Sequence, residues 1–287
     1  NYKNNYEVFD QAQQINIHNW TNTVQEQFSN PYWTLNRQKP ISDRNRYEFG
    51  GTVKYDIMEG LSATGRIRYE RGDEHWTQND YASSTAGRDK LGTMKDDHIF
   101  SEQTYADALL QYNKTWEDTY SLSVTAGGSY TKTKGSNVSL IGYGDTQFAI
   151  NNGVITSGAY YPNKFIPSNY YRLSTGMSLK EKRLNSVFAT AQFGYKEGLY
   201  VDVSARNDWS SALAFTEGVS FFYPSVGASA LLNKFIDFGK NVDLFKFRAS
   251  YSIVGNDVPI YASNVLYTIG DQGSLVPPSE APFRTLK

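Results

Sequence analysis

The stretch Val187–Ala205, VFATAQFGYKEGLYVDVSA, decides the fold. Val187, Ala189, Ala191, Phe193 and Tyr195 occupy every second position. After Lys196-Glu197-Gly198 the alternation resumes as Leu199, Val201, Val203 and Ala205, interleaved with Tyr200, Asp202 and Ser204. A strand sends successive side chains to opposite faces, so each run has one apolar and one mixed face. Two such runs joined by a short Gly-containing link read as a β-hairpin.

The pattern recurs three more times. Tyr47 to Ile57 and Leu61 to Tyr69 alternate on either side of Met58-Glu59-Gly60. Ala106 to Tyr112 and Tyr120 to Tyr130 flank the Trp116–Thr119 turn, and Val226 to Leu232 pairs with Phe245 to Ile253 through 233–243. The predicted hairpins are 45–71, 104–132, 185–206 and 224–254. None of the apolar-phase positions is charged, whereas the other phase holds Glu48, Lys54, Asp56, Arg66, Arg68, Asp107, Asp202, Lys246 and Arg248. A soluble sandwich also alternates, but its apolar side is filled mainly by branched aliphatics. Here Gly, Ala and aromatics fill it.

The connections have two lengths. Short links lie at 58–60, 117–119 and 196–198, with a looser one at 233–243, and long loops are predicted at 72–103, 133–184, 207–222 and 255–287. Short turns at one end and long loops at the other mark an outer-membrane β-barrel. Tyr55, Trp116, Tyr120 and Tyr195 near the short turns, and Tyr69, Tyr105 and Tyr130 near the long loops, suit two interfacial girdles about 25 Å apart. The expected fold is all-β: an antiparallel transmembrane barrel segment of about eight strands, with short periplasmic turns and long extracellular loops, in the bacterial outer membrane.

Composition excludes several alternatives. The 287 residues carry 28 Lys and Arg against 29 Asp and Glu, a formal charge of −1. That balance argues against a nucleic-acid partner, whose binders show a basic face. With Cys 0 there is no disulfide framework, thiolate metal site or Cys nucleophile. No apolar run approaches the ~18 residues of a membrane helix. The chain opens NYKNNYEVF, without Met, a basic n-region or an apolar h-region, and reads as a processed or excised part of something larger.

Several segments resemble the SusC/RagA-type branch of TonB-dependent outer-membrane transporters. They are Leu184–Phe215, with Arg206, Asp208, Ser210 and Ser211; Phe221–Asn233, with Tyr223, Pro224, Ser225 and Val226; and Phe245–Asp257, with Arg248, Ser250, Tyr251, Gly255 and Asn256. Family members usually have Phe where Tyr223 stands. Asn30–Arg37, NPYWTLNR, and the 45–71 hairpin resemble an upstream part of the same barrel. The resemblance implies a parent barrel of about 22 strands with an internal plug. It also implies a SusD-like surface lipoprotein as partner, drive from the TonB complex through a part of the parent not present here, and uptake of an oligosaccharide or peptide cargo. Neither a plug-like region nor a TonB box is recognisable in this chain.

Catalysis finds no support, and no cofactor or metal is expected. His18, His75 and His98 fall in polar sequence, and neither H-E-x-x-H nor G-x-S-x-G occurs. Asp73-Glu74-His75 and Asp96-Asp97-His98 carry residue types that can ligate a metal, but they read as solvated loop charges, since neither has a metal-site spacing. The candidates for substrate or partner contact are Trp76, Tyr160, Tyr161, Tyr170, Tyr171, Trp209, Phe221 and Phe222, because flat rings suit sugar faces and peptide side chains in a wet site. Arg206 and Asp208 join them, with an ion pair holding a strand end as the plainer reading. Loop 133–184 is the leading contact segment. A nutrient importer is the expected function. A passive porin or adhesin barrel, and a soluble β-rich carbohydrate-binding module, are the alternatives.

Overall fold

The computed structural model describes residues 5–11, 14–19, 30–82, 92–143, 161–170, 172–214, 216, 218–239, 242–262, 268–269 and 275–276. The elements are β1 (Glu7–Asp10), β2 (Ile15–His18), α1 (Pro31–Arg37), β3 (Pro40–Met58), β4 (Leu61–Asp80), β5 (Thr93–Trp116), β6 (Tyr120–Tyr143), β7 (Arg172–Tyr195), β8 (Leu199–Ser210), β9 (Ser220–Leu231), β10 (Lys246–Ser252), β11 (Thr268–Ile269) and β12 (Leu275–Val276). β3 to β10 form one open antiparallel sheet of eight strands in sequence order, and β1–β2 and β11–β12 pair separately. The chain divides into two compact units. One comprises Asn1–Tyr47, Arg71–Ser101 and Gly135–Leu179; the other comprises Glu48–Glu70, Glu102–Lys134 and Lys180–Lys287.

The second unit holds the short turns. Glu117 and Asp118 (φ 49 and 51°), and Lys196 and Glu197 (φ 48 and 50°), sit in left-handed backbone. The turns close with Thr119 N donating to Trp116 O at 2.9 Å and Gly198 N donating to Tyr195 O at 3.0 Å. Two central residues at positive φ match the right-handed twist of the flanking strands. Gly60 has φ 77°, and the Asn113 carbonyl occupies the place its Cβ would take. Gly60→Ala should therefore lower the yield of folded protein, since left-handed backbone alone costs about 1–2 kcal/mol for a residue with a Cβ. Gly65→Ala, with nothing within 4 Å, is the matched control, and equal yields would contradict the prediction.

The register joins the apolar phases on one face. Ala189 stands opposite Ala205, Ala191 opposite Val203 and Phe193 opposite Val201. Val203 in turn faces Val226, and Val226 faces Tyr251. Residues directly opposite share a face, so the uncharged phases of β7 to β10 form one continuous apolar surface. That surface is uncovered: Val203 is 49% exposed, Phe247 60% and Tyr251 68%. A soluble fold would bury such a contiguous patch.

The strands are longer than the hairpins read from sequence. Loop 72–103 is a correction, because β4 runs to Asp80 and β5 starts at Thr93. Loop 133–184 likewise shrinks, as β6 runs to Tyr143 and β7 starts at Arg172. Loop 207–222 loses both ends to β8 and β9. Past Tyr69 the sequence ERGDEHWTQND is polar on both faces, so the apolar period fades while backbone pairing continues. The tail 255–287 includes β11 and β12.

Candidate functional site

The mixed face of the second unit carries a series of polar contacts. Arg66 donates to Asp107 through Nε at 2.9 Å and Nη2 at 2.7 Å, and the Tyr105 hydroxyl donates to the same carboxylate at 2.5 Å. Tyr105 therefore faces the polar side and does not join the outer girdle predicted for it. Gln192 Nε2 donates to Asp202 Oδ1 at 2.6 Å, and the Ser204 and Ser225 hydroxyls lie 2.7 Å apart. Lys182 Nζ is 2.5 Å from Asp257 Oδ2, which also accepts from Ser210 Oγ at 2.8 Å.

Arg206 and Asp208 belong to this series. Arg206 Nε donates to Asp208 Oδ1 at 2.7 Å and Nη2 donates to Ser186 Oγ at 2.9 Å. The guanidinium also lies 5.6 Å from the Phe188 ring. Asp208 faces Phe221, and Arg206 faces Tyr223. Phe221 and Tyr223 stack with centroids 6.2 Å apart. Trp209 and Phe222 lie one residue out of phase, opposite Ser220 and Asn207, and so belong to the apolar face. The register thus separates candidates that adjoin in sequence.

The apolar face has marked ends. Near the short turns Tyr120, Phe193, Tyr195 and Phe235 form an aromatic cluster with centroids 5.3 to 6.3 Å apart. Farther along β6 and β7 the same phase reaches Lys132, Glu181 and Arg183. Glu181 Oε1 is 2.7 Å from Arg183 Nη2 and 3.4 Å from Lys132 Nζ. Hydrogen bonding from Arg183, and then from Lys132, holds the Glu181 carboxyl below its ordinary value.

In the first unit, Trp76 is half-buried on β4 instead of lying in a loop. Glu74 accepts from Ser42 Oγ at 2.7 Å and Arg44 Nη2 at 2.6 Å. Those bonds, the Ser42 one foremost, hold its carboxyl below the usual range. Segment 161–170 is organised by buried Asn169, which accepts from Tyr161 N at 2.9 Å and donates to the Tyr161 and Lys164 carbonyls at 2.7 and 3.0 Å. Asn163 Oδ1 accepts from Ala82 N at 2.7 Å, and Phe165 packs edge-on against Tyr81. This frame leaves Tyr161 55% exposed, whereas Tyr170 is 5% exposed. The Tyr170 ring lies against Gly142, where a Cβ would come within 2.5 Å of it. Tyr160 and Tyr171 lie outside the described residues.

Asp73-Glu74-His75 and Asp96-Asp97-His98 are not loop charges. They lie on β4 and β5, and His75, Asp96 and His98 converge. The sequence favours loop charges over ligands because each motif alone lacks a ligand spacing; cross-strand pairing supplies the missing partner.

No protein-family model matches the chain, and no curated protein matches it. Solved structures do. A structure of the RagAB peptide transporter matches with TM-score 0.67 and 15% identity over 88% of this chain. The RagAB peptide importer matches in its closed-closed state with TM-score 0.66 and 16% identity over 88%. Its open-open state matches with TM-score 0.67 and 16% identity over 90%. This chain spans 27 to 28% of the length of those chains. Among the described residues no helix is long and apolar enough to cross a membrane. The eight-stranded sheet of this chain therefore has the fold of a stretch of a RagAB transporter chain, as the SusC/RagA resemblance implied.

Proposed function

We propose that the chain is part of the barrel wall of a TonB-dependent outer-membrane importer of the SusC/RagA type, taking up oligopeptide or glycan with a SusD-like surface lipoprotein. The observation that carries this reading is the bounded, charge-free face. From Asn185 to Tyr195 the outward positions of β7 are uncharged, with Arg183 and Glu181 beyond one end and aromatics at the other. Ten rises of about 3.3 Å, tilted by about 40°, give about 25 Å, the height of an outer-membrane apolar band. The opposite face, lined by Arg66, Asp107, Arg206 and Asp208, suits a wet interior. The likeness to a peptide transporter favours peptide as the cargo class.

In this reading Trp209 and Phe222 meet the outer interface. Arg206, Asp208 and Phe221 line the interior, and Trp76 and Tyr161 lie toward the extracellular mouth, with Tyr160, Tyr170 and Tyr171 in the same contact segment. Tyr170, buried against Gly142, anchors this segment more than it contacts cargo.

Two measurements test the proposal. With Cys introduced at Glu59 and Ser168, an impermeant maleimide should label Ser168→Cys in intact cells and Glu59→Cys only after lysis. The reverse pattern would invert the topology. Deleting the gene for the full-length protein should abolish growth on an oligopeptide or glycan whose use also requires TonB. Unchanged growth on both nutrient classes would refute the importer role.

A further inference from the structure

We propose that His75, Asp96 and His98 form a binding site for one borderline divalent metal ion of the zinc class. His75 lies on β4, and Asp96 and His98 lie on β5. Ser101 Oγ lies 3.5 Å from the Gly72 carbonyl; three residues onward along β4 and three back along β5, His75 meets His98. The two imidazoles stack with centroids 4.3 Å apart and planes 15° apart. Asp96 is two residues from His98 and so shares its face. Its Oδ1 is 3.0 Å from His75 Nε2 and 3.3 Å from His98 Nε2. One ligand atom from each residue lies within 4.8 Å of the other two.

These separations suit a small ion. Zinc holds imidazole nitrogen at about 2.0–2.1 Å and carboxylate oxygen at about 2.0–2.2 Å, so the edges of its tetrahedron are roughly 3.3–3.5 Å. The two nitrogen–oxygen edges need to open by only a few tenths of an ångström. With Nδ1 protonated each neutral ring offers its Nε2 lone pair; because the rings stack with planes 15° apart, the more exposed His98 ring turns about its Cβ–Cγ bond to aim at the same ion as His75. Two imidazoles with one carboxylate select zinc, copper or nickel over calcium and magnesium, which prefer all-oxygen shells.

The surroundings favour a cation. Asp73 shares the His75 face and engages Arg71 at 3.2 Å. Asp73 thus places a second carboxylate two residues from His75 on the same face. The side chains of His75, Asp96 and His98 are 44%, 32% and 66% exposed, so the ion is reached from solvent and keeps a position for water. The bound ion clips β4 to β5 at the end remote from the Gly60 turn.

The test uses the full-length protein in detergent, titrated with zinc, and copper spectra of the same samples. The unsubstituted protein should bind one more equivalent of zinc, in the micromolar range, than His98→Gln. Its copper spectrum should show two coordinating nitrogens that fall to one in that variant. Because His98 is exposed, the variant should assemble normally; if it does not, His75→Gln, which removes the other imidazole, serves for the same comparison. Equal zinc uptake with and without the substitution, or no two-nitrogen copper signal in the unsubstituted protein, would overturn the site.

Discussion

Arginine at Val203 should block assembly into the outer membrane, whereas arginine at Thr190 should not. Val203 lies opposite Ala191 on the uncharged face and is 49% exposed. In an outer-membrane barrel that position meets lipid near mid-depth, where an arginine costs about 2–4 kcal/mol. A loss of that size is a large share of the usual 5–15 kcal/mol of net stability. Thr190 is one residue out of phase with Ala191, opposite Ser204 and beside the Asp202 contact, on the face that already holds Arg206. A guanidinium there stays hydrated. The amount of protease-resistant protein in outer-membrane fractions reads the difference. Equal assembly of Val203→Arg and Thr190→Arg would remove the lipid-facing assignment and return the soluble module to consideration.

Trp33→Ala should have a comparable effect, confined to the first unit. Trp33 is fully buried in α1, and the NPYWTLNR stretch that carries it explains itself locally. Asn30 caps the helix by accepting from Tyr32 N at 2.9 Å, and Pro31 enters the first turn, where its missing N–H is not needed. Asn30 N donates to His18 Nε2 at 2.5 Å, and the His18 ring meets Trp33 edge-on at 5.9 Å. Arg37 closes the group by pairing with Glu7 at 2.8 Å. The indole therefore ties α1 to β2 while Arg37 ties it to β1, and truncating a buried Trp costs about 3–5 kcal/mol. Limited proteolysis should cut Trp33→Ala within 5–19 well before the parent. Leu35→Ala, at a position 63% exposed, should resist as the parent does. Identical cleavage of all three would show that Trp33 is not the tie.

Much of this architecture was legible in the residues. The alternation along Val187–Ala205, the charge-free phase, the short turns and the strand order follow from local pattern, because side-chain direction in a strand repeats every two residues. The ion-pair reading of Arg206 and Asp208 was legible for the same reason: two residues apart on one strand means one face. The strand ends were not: beyond Tyr69 both faces are polar, and beyond Lys132 the polar run Thr133–Asn137 interrupts the apolar phase before Val138 and Leu140 resume it. Tyr105 was misplaced as a girdle residue because nearness to a loop does not tell which face a ring takes; its bond to Asp107 does.

The sequence by itself determined that each strand is two-faced and which phase is apolar, since that property is carried by each segment alone. Only the tertiary structure decided which residues meet across strands. Register, set by turn geometry and by pairs such as Arg66–Asp107, placed Phe221 with Asp208 and Phe222 with Asn207. It likewise turned two unremarkable acidic motifs into the His75–Asp96–His98 cluster. A one-residue slip would exchange the faces of an entire strand, so cross-strand partners belong to the paired sheet and not to either strand's own sequence.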